Sequence, residues 1–435
     1  MFTPEETLER VRPLMKTAGI TRLSDITGLD RLGIPVWSSV VPRSRDMLSV
    51  YNGKGSTHIG AKVGAIMEAF ERNAGLTFKR PLIHASYNAI SKERRALDPE
   101  TAGLVMHQTY TKDKEILWTA GNDLFTGEEI MVPADLAGYN SVECADQAVR
   151  TYAICTTNGL ASGNTYEEAV AQALCELIER DAWTIATVLA HWMPRAKFEA
   201  GRAKAGLPKL EWKGKDEQPF ADDGDRYPIV DPSTFDPEVR HVYDMYMAAG
   251  LPPSIRDVTS DVGIPTMVVT VTEDVSADLP RAHLGIGTHQ EPRVAALRAL
   301  TEAAQSRVVD IQGVREDMTE ADEQTPRYMA HAKRVSHINR KTWYHMKTNN
   351  RISFADIPSI QTEDTLDDVK LMLDRLRACD LNLAIEVDVT NPEVGIPVTR
   401  VIVPGLESWA ADHGRVGKRA AKHWNANRTA AQRAR

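Results

Sequence analysis

The sequence predicts an α+β protein in which amphipathic helices pack on β-sheets. Three observations predict it: a hairpin pattern written three times, a glycine-to-helix pattern written three times, and helical periodicity just upstream of two of the hairpins. The chain has 435 residues, 42% of them hydrophobic, which is ample material for a buried core.

The hairpin pattern begins at Asp25 (DITGLDRLGIPVWSSVV), Asp257 (DVTSDVGIPTMVVTV) and Asp388 (DVTNPEVGIPVTRVIV). Each copy runs Asp, a β-branched residue and Thr, then a turn, then Gly-Ile-Pro and a β-rich run. This reads as strand, tight turn, strand, with proline at the entry to the second strand, where a missing N–H is tolerated. Three uses of one hairpin imply one sheet-containing unit elaborated in a single body, so one domain over 1–435 is expected.

The second pattern joins glycines to a helix. Gly53-Lys54-Gly55-Ser56 leads into a helix over about 58–73, Asn158 to Gly163 into one over about 166–183, and Gly285-Ile286-Gly287 into one over about 292–309. Thr165 followed by Glu168 fits a capping box, and Pro292 suits a first helical turn. Further amphipathic helices are expected over 237–250 and 366–378, each ahead of a hairpin copy. The stretch 194–227, rich in Lys, Asp, Gly and Pro, reads as an inserted surface loop. Residues 415–435 form a basic tail that is either a solvated or frayed end or a partner-binding segment.

Charged residues make up 26% of the chain and the formal net charge is −8, which supplies no positive field for nucleic acid. Cys144, Cys155, Cys175 and Cys379 include no C-x-x-C pair, so free buried thiols are expected rather than a zinc site or disulfide framework. No apolar run approaches the ~20 residues of a membrane helix, and MFTPEETLER is polar and acidic. A cytoplasmic protein without a membrane partner is expected.

The three glycine-preceded helices share an acidic pattern: Glu68, Glu71 and Arg72; Glu176, Glu179 and Arg180; Glu302, Gln305 and Arg307. Residues three or four apart share a helix face, so the first two helices each set two carboxylates side by side. An exposed Glu–Arg stripe explains one such helix, but not three copies in one chain. Mutually repelling carboxylates call for a cation, and Mg2+ is a hard ion that joins one or two carboxylates to phosphate oxygens. Lys54 and Ser56 could add an ammonium and a hydroxyl near phosphate, although G-K-G-S alone is a weak signal. No Walker A spacing, no G-x-G-x-x-G opening a helix and no G-x-S-x-G elbow occurs.

At these residues the chain resembles the YcaO superfamily, from about residue 20 to 407. GKGSTHIGAKVGAIMEAFER, GLASGNTYEEAVAQALCELIERDAW, GIGTHQEPRVAALRALTEAAQSR and IPVTRVIVPGLE carry the resemblance. It implies a YcaO-type fold that holds ATP and Mg2+ between clustered glutamates and activates a peptide-backbone amide through the γ-phosphate. Carried over, Glu68, Glu71, Glu176 and Glu179 become Mg2+ ligands, and Lys54, Arg72, Arg180 and Arg307 phosphate contacts. Ser56, Gln172, Arg298, Glu302 and Gln305 would complete the nucleotide pocket, with Arg72, Arg180 and Glu302 as the catalytic candidates. Many members have Ser where this chain has Gly64, and azoline-forming members commonly end in Pro-x-Pro-x-Pro where this chain ends AAQRAR.

The start, DITGLDRLGIPV, resembles members of thioamide pathways, which often work beside a TfuA-type protein. The resemblance therefore implies thioamidation of a peptide or protein backbone, with a TfuA-like sulfur-delivery partner and a homodimeric assembly. Azoline or macrocyclic amidine formation is the alternative chemistry. A non-catalytic adaptor is the alternative of another class, and it predicts degraded acidic clusters, which this chain does not have.

Overall fold

The computed structural model describes residues 2–42, 44, 49–78, 80–102, 110–138, 156–191, 195–204, 206, 208–209, 211, 222–274, 280–313, 342–412 and 416–433. The expectations for Cys144 and Cys155, and for much of 194–227, lie outside the described residues.

A first unit runs α1 (Pro4–Val11), β1 (Arg22–Asp25), β2 (Val36–Val40), β3 (Val50–Lys54) and α2 (His58–Leu76). β4 (Ile83–Ser86), α3 (Tyr87–Ile90), β5 (Glu115–Asp123), β6 (Glu129–Pro133) and α4 (Ala134–Ala137) follow. Next come β7 (Leu160–Ser162), the long helix α5 (Tyr166–Ala190) and α6 (Arg195–Lys204), so the stretch read as an inserted loop begins with a helix. A second unit contains β8 (Ile229–Val230), α7 (Pro237–Ala248), β9 (Ser254–Asp257), β10 (Thr266–Asp274), β11 (Pro280–Thr288) and α8 (Pro292–Gly313). The chain continues through β12 (Arg351–Ile352), α9 (Thr365–Ala378), β13 (Ile385–Asp388), β14 (Val398–Ile402), α10 (Trp409–Asp412) and α11 (Lys418–Arg433).

The strands form three sheets, ordered β1-β2-β3, β11-β10-β9-β8-β12 and β4-β5-β13-β14-β7, with β6 on β5. Each sheet contains one antiparallel three-stranded meander covered by one long helix. α2 lies on β2 and β3, α8 on β10 and β11, and α5 on β14 and β7. The third meander is assembled from two distant parts of the chain: β13 and β14 pair with each other, and β14 pairs with β7 in the register Val398↔Ser162. Each covering helix is backed by the helix that leads its hairpin: α1 on α2, α7 on α8, α9 on α5.

The D-x-T…G-I-P pattern has one physical explanation in all three hairpins. The Asp side chain accepts from the N–H of the Thr two residues on: Thr27 to Asp25 at 3.0 Å, Thr259 to Asp257 at 2.9 Å, Thr390 to Asp388 at 2.9 Å. The Thr hydroxyl then accepts from the first N–H after the proline: Val36 at 3.0 Å, Thr266 at 3.1 Å, Val398 at 3.1 Å. The turn donors are thereby satisfied without a ladder partner. The glycine of each Gly-Ile-Pro sits at φ +70°, +73° and +71°, a left-handed conformation that an L side chain disfavours.

Glycines and alanines meet where helix crosses strand. A Cβ on Gly53 would land 2.0 Å from Ala65 N, and one on Gly285 would land 2.1 Å from Ala299 O. Ala61, Ala65, Ala295 and Ala299 are fully buried along these seams. Small residues on both elements let the backbones close up, and this places the glutamates beside the neighbouring strands.

Candidate functional site

Each covering helix begins ten residues before its first acidic position, at His58, Tyr166 and Pro292, so the three acidic faces are presented at the same height. The Thr165 hydroxyl caps α5 by accepting from Glu168 N at 3.2 Å. The return arm of the expected capping box goes one residue further back, from Asn164 N to Glu168 Oε2 at 2.8 Å.

A cavity of about 610 Å³ opens between β3, α2, α5 and α8. Lys54, Ser56, Glu68 and Arg72 line one wall, and Gln172, Arg298 and Gln305 line the other. Gly64, Gln172 and Arg298 occupy the equivalent place on the three helices, four residues before the first acidic position, and all three reach the cavity. Tyr51, Asn52, Val294, Leu297 and Thr301 also line it and carry no motif by which the sequence reveals them. Asn52 is held by two contacts: its carbonyl accepts from Gln305 Nε2 at 2.7 Å, and its side chain accepts from Ser38 Oγ at 2.6 Å.

The acidic residues are interleaved with cations. Lys54 Nζ forms an ion pair with Glu302, whose other oxygen accepts from Ile286 N at 3.4 Å. Arg72 binds Glu68 at 2.8 Å, Arg180 approaches Glu176 at 3.5 Å, and Arg298 donates to Gln172 at 2.7 Å. Burial, then the neighbouring Glu68 and Glu176, pushes the Glu71 carboxyl well up. Burial also raises Glu176 against the pull of Arg180. Burial and then Glu302 push Glu179 up to about 7. Burial opposes ionisation of Glu302 as well, but Lys54, Arg180 and the Ile286 N–H together outweigh it and the net shift is downward. Arg400 is within electrostatic range of both Glu71 and Glu176, while its guanidinium is anchored on the carbonyls of Asn158 at 2.6 Å and Thr156 at 2.8 Å. Sequence reasoning overlooked it because it lies inside an apolar strand.

Arg307, expected at phosphate, binds Asp30 at 2.7 Å and Glu273 at 2.5 Å, with its side chain 5% exposed. The reason is helical phase. Arg72 and Arg180 stand four residues after the first glutamate of their helices, whereas Arg307 stands five after Glu302. One extra residue turns a side chain by about 100°, off the acidic face.

Hard oxygen donors gathered among cations suit a divalent ion bound with a polyphosphate. Glu179 Oε2 is buried without a hydrogen-bond partner, which leaves a donor free for such an ion. Among the described residues no three His, Cys, Asp or Glu side chains form a metal cage on their own. Mg2+ requires no such cage, since it commonly takes one or two carboxylates and draws its remaining ligands from water and phosphate.

Fold and cavity together define an α+β protein of three hairpin-and-helix units with a mixed carboxylate and guanidinium pocket. The chain belongs to the YcaO family: the model described as YcaO cyclodehydratase, ATP- and Mg2+-binding, matches residues 52–407. ATP and Mg2+ are thus the cofactors of its family. An uncharacterized protein of Methanothermobacter thermautotrophicus is 35% identical over 96% of this chain and 97% of its own length. A protein in the tfuA 3′ region of Rhizobium leguminosarum bv. trifolii is 30% identical over 93% of this chain and 88% of its own length. Among solved structures, YcaO from Methanopyrus kandleri bound with AMPPCP and Mg2+ is similar with a TM-score of 0.61, at 24% identity over 96% of this chain and 95% of that one. A heterocyclase in complex with substrate and cofactor is similar with a TM-score of 0.73, at 21% identity over 93% of this chain. This chain spans about half of that heterocyclase, 52% of its length. Among the described residues no helix is long and apolar enough to cross a membrane.

Proposed function

We propose that this protein uses ATP and Mg2+ to activate a backbone amide of a peptide or protein and replaces the amide oxygen with sulfur. The observation that carries the sulfur is the relative in the tfuA 3′ region, which matches nearly the whole chain. The thioamide-pathway members that this chain resembles often work beside a TfuA-type protein, so a TfuA-like protein is the proposed sulfur donor.

The energetic difficulty is that an amide oxygen is a poor leaving group, and phosphorylation makes it a good one. Hydrosulfide adds to the carbonyl carbon, forming a C–S bond and placing the carbonyl electron pair on oxygen. That oxygen takes the γ-phosphoryl group of ATP and ADP departs. Loss of phosphate and of the S–H proton leaves C=S. In this reading Lys54, Arg72 and Arg298 draw the polyphosphate into the cavity, and Arg72 and Arg180 oppose the charge that builds up during transfer. Glu68, Glu71, Glu176 and Glu179 supply the oxygen donors for Mg2+, which neutralises phosphate charge when bound. Ser56, Gln172 and Gln305 hold the nucleotide in register, and Glu302 holds Lys54.

A second reading keeps the activation and changes the nucleophile to a substrate side chain or amine, giving an azoline or amidine. The cyclodehydratase description of the family favours it. The test incubates purified protein with ATP, Mg2+, sulfide and peptides encoded nearby, with and without a TfuA-like protein, and weighs the products. An oxygen-to-sulfur mass gain, abolished by Glu68→Ala or Glu176→Ala, is the expected result. Loss of one water mass would replace thioamidation with cyclisation. Absence of ATP turnover with every peptide would favour the adaptor reading.

A further inference from the structure

Five residues after the first acidic position of the three helices stand Asn73, Asp181 and Arg307. At about 100° per residue this position faces away from the acidic side. Each is tied to the hairpin turn of another unit. Asn73 Oδ1 on α2 accepts from Asn391 Nδ2 at 2.7 Å, in the turn between β13 and β14. Asp181 on α5 accepts from Arg419 Nε at 3.0 Å and Nη2 at 3.1 Å. The same guanidinium donates from Nη1 to Asp261 Oδ2 at 3.2 Å, in the turn between β9 and β10. Arg307 on α8 donates to Asp30 at 2.7 Å, in the turn between β1 and β2.

The order is cyclic. The helix of the first unit ties to the hairpin of the third, the helix of the third to the hairpin of the second, and the helix of the second to the hairpin of the first. The helices also lean on the next unit's strands in this direction: α2 on β7, α5 on β11, α8 on β3.

We propose that Asn73, Asp181 and Arg307 are positioning residues, forming a closed ring of tethers that sets the rotation of the three helices and hence the spacing of their acidic faces around the cavity. None of the three lines the cavity. The Asp181, Asp30 and Arg307 side chains are 0%, 2% and 5% exposed. Buried ion pairs contribute little net stability, and fixing one arrangement among alternatives is the use of such pairs that is best attested. A helix rotated by a few degrees keeps its apolar seam but moves its carboxylates relative to those on the other two helices.

The proposal rests on the ATP and Mg2+ reading, and its test separates the two. AMPPCP binding to the full chain is titrated against Mg2+ concentration, with thermal unfolding measured in parallel. The variants are Arg307→Met, the double variant Asp30→Leu with Arg307→Met, and Asn73→Ala, the last at a half-buried neutral site that does not decide folding. The Mg2+ concentration for half-saturation is expected to rise about tenfold in all three, a loss of about 1.4 kcal/mol in binding. The double variant is expected to regain wild-type melting, since Asp30 is gone and Glu273 keeps Arg31 at 2.8 Å, yet keep the shifted Mg2+ dependence. Double and Asn73→Ala variants that bind as wild type does would overturn the ring alone. Wild-type protein that binds no AMPPCP would overturn the nucleotide reading and the ring with it.

Discussion

Gly53→Ala tests whether the close crossing of β3 and α2 sets the site. The new Cβ would sit 2.0 Å from Ala65 N, 2.2 Å from Ala61 O and 2.6 Å from Gly64 C, all of them backbone atoms that no rotamer change can move. Since real Cβ contacts essentially never fall below 3.0 Å, α2 must recede by at least about 1 Å at that turn. Overpacking of this kind costs about 1–3 kcal/mol of stability. The same shift carries Glu68, Glu71 and Arg72 away from Lys54 and α8, and a 1 Å misplacement at a positioned site costs about a hundredfold in rate. Urea unfolding and the rate of ATP turnover measure the two effects. Gly28→Ala is the matched control: no atom lies within 4 Å of its added Cβ and its φ is not positive, so its stability should stay within about 0.5 kcal/mol of wild type. Gly53→Ala that behaves like the control in both measurements would refute the reasoning.

Glu179 should make the nucleotide-free protein sensitive to pH. Its folded value of about 7 lies above the ordinary 4.5, so the unfolded chain ionises first and stability falls as pH rises between these values. Glu179→Gln is expected to raise the melting temperature at pH 8 and leave it nearly unchanged at pH 4, with an equal gain at both pH values counting against the assignment. Arg256, 1% exposed, donates from Nη1 to the carbonyls of Gly224 and Tyr227 and also bonds that of Met346, so Arg256→Met should cost about 3 kcal/mol in denaturant unfolding by orphaning those acceptors. Thr259→Val deletes the hydroxyl that accepts from Thr266 N, so it should destabilise by about 1–3 kcal/mol. A neutral result would mean that water replaces the threonine oxygen.

What could be read in the sequence was local. The hairpins are set by Asp, Thr, Gly and Pro within one short segment, and the helices by apolar spacing behind a cap, so both repeats were visible without knowledge of the tertiary structure. The faces of Glu68 with Glu71 and of Glu176 with Glu179 followed from helical phase alone. Pairings across the chain were not legible: nothing near Leu160 announces β14, and nothing near Asn52 announces Gln305. Motif likeness alone places Arg307 with Arg72 and Arg180, whereas its one-residue offset turns it toward Asp30. Arg419 lies in the basic segment that the sequence reads as a solvated or frayed end or a partner-binding tail, and its side chain, 10% exposed, pairs with Asp181, a partner 238 positions earlier that no local pattern reveals.

The split third meander has a consequence for biosynthesis. Glu176 and Glu179 emerge from the ribosome on a helix whose covering strands, β13 and β14, are more than 200 residues from being made. Until those strands arrive, Leu160, Ala161 and the face of α5 that packs on β14 lack their own sheet, although α5 can already lean on β11. A nascent chain stopped short of β14 therefore carries all of the acidic motif yet lacks part of the scaffold that brings it together. Such long-range closure is slow and leaves apolar surface open meanwhile. The pairing of β14 with β7 is thus a contact on which the placing of α5 beside the cavity depends.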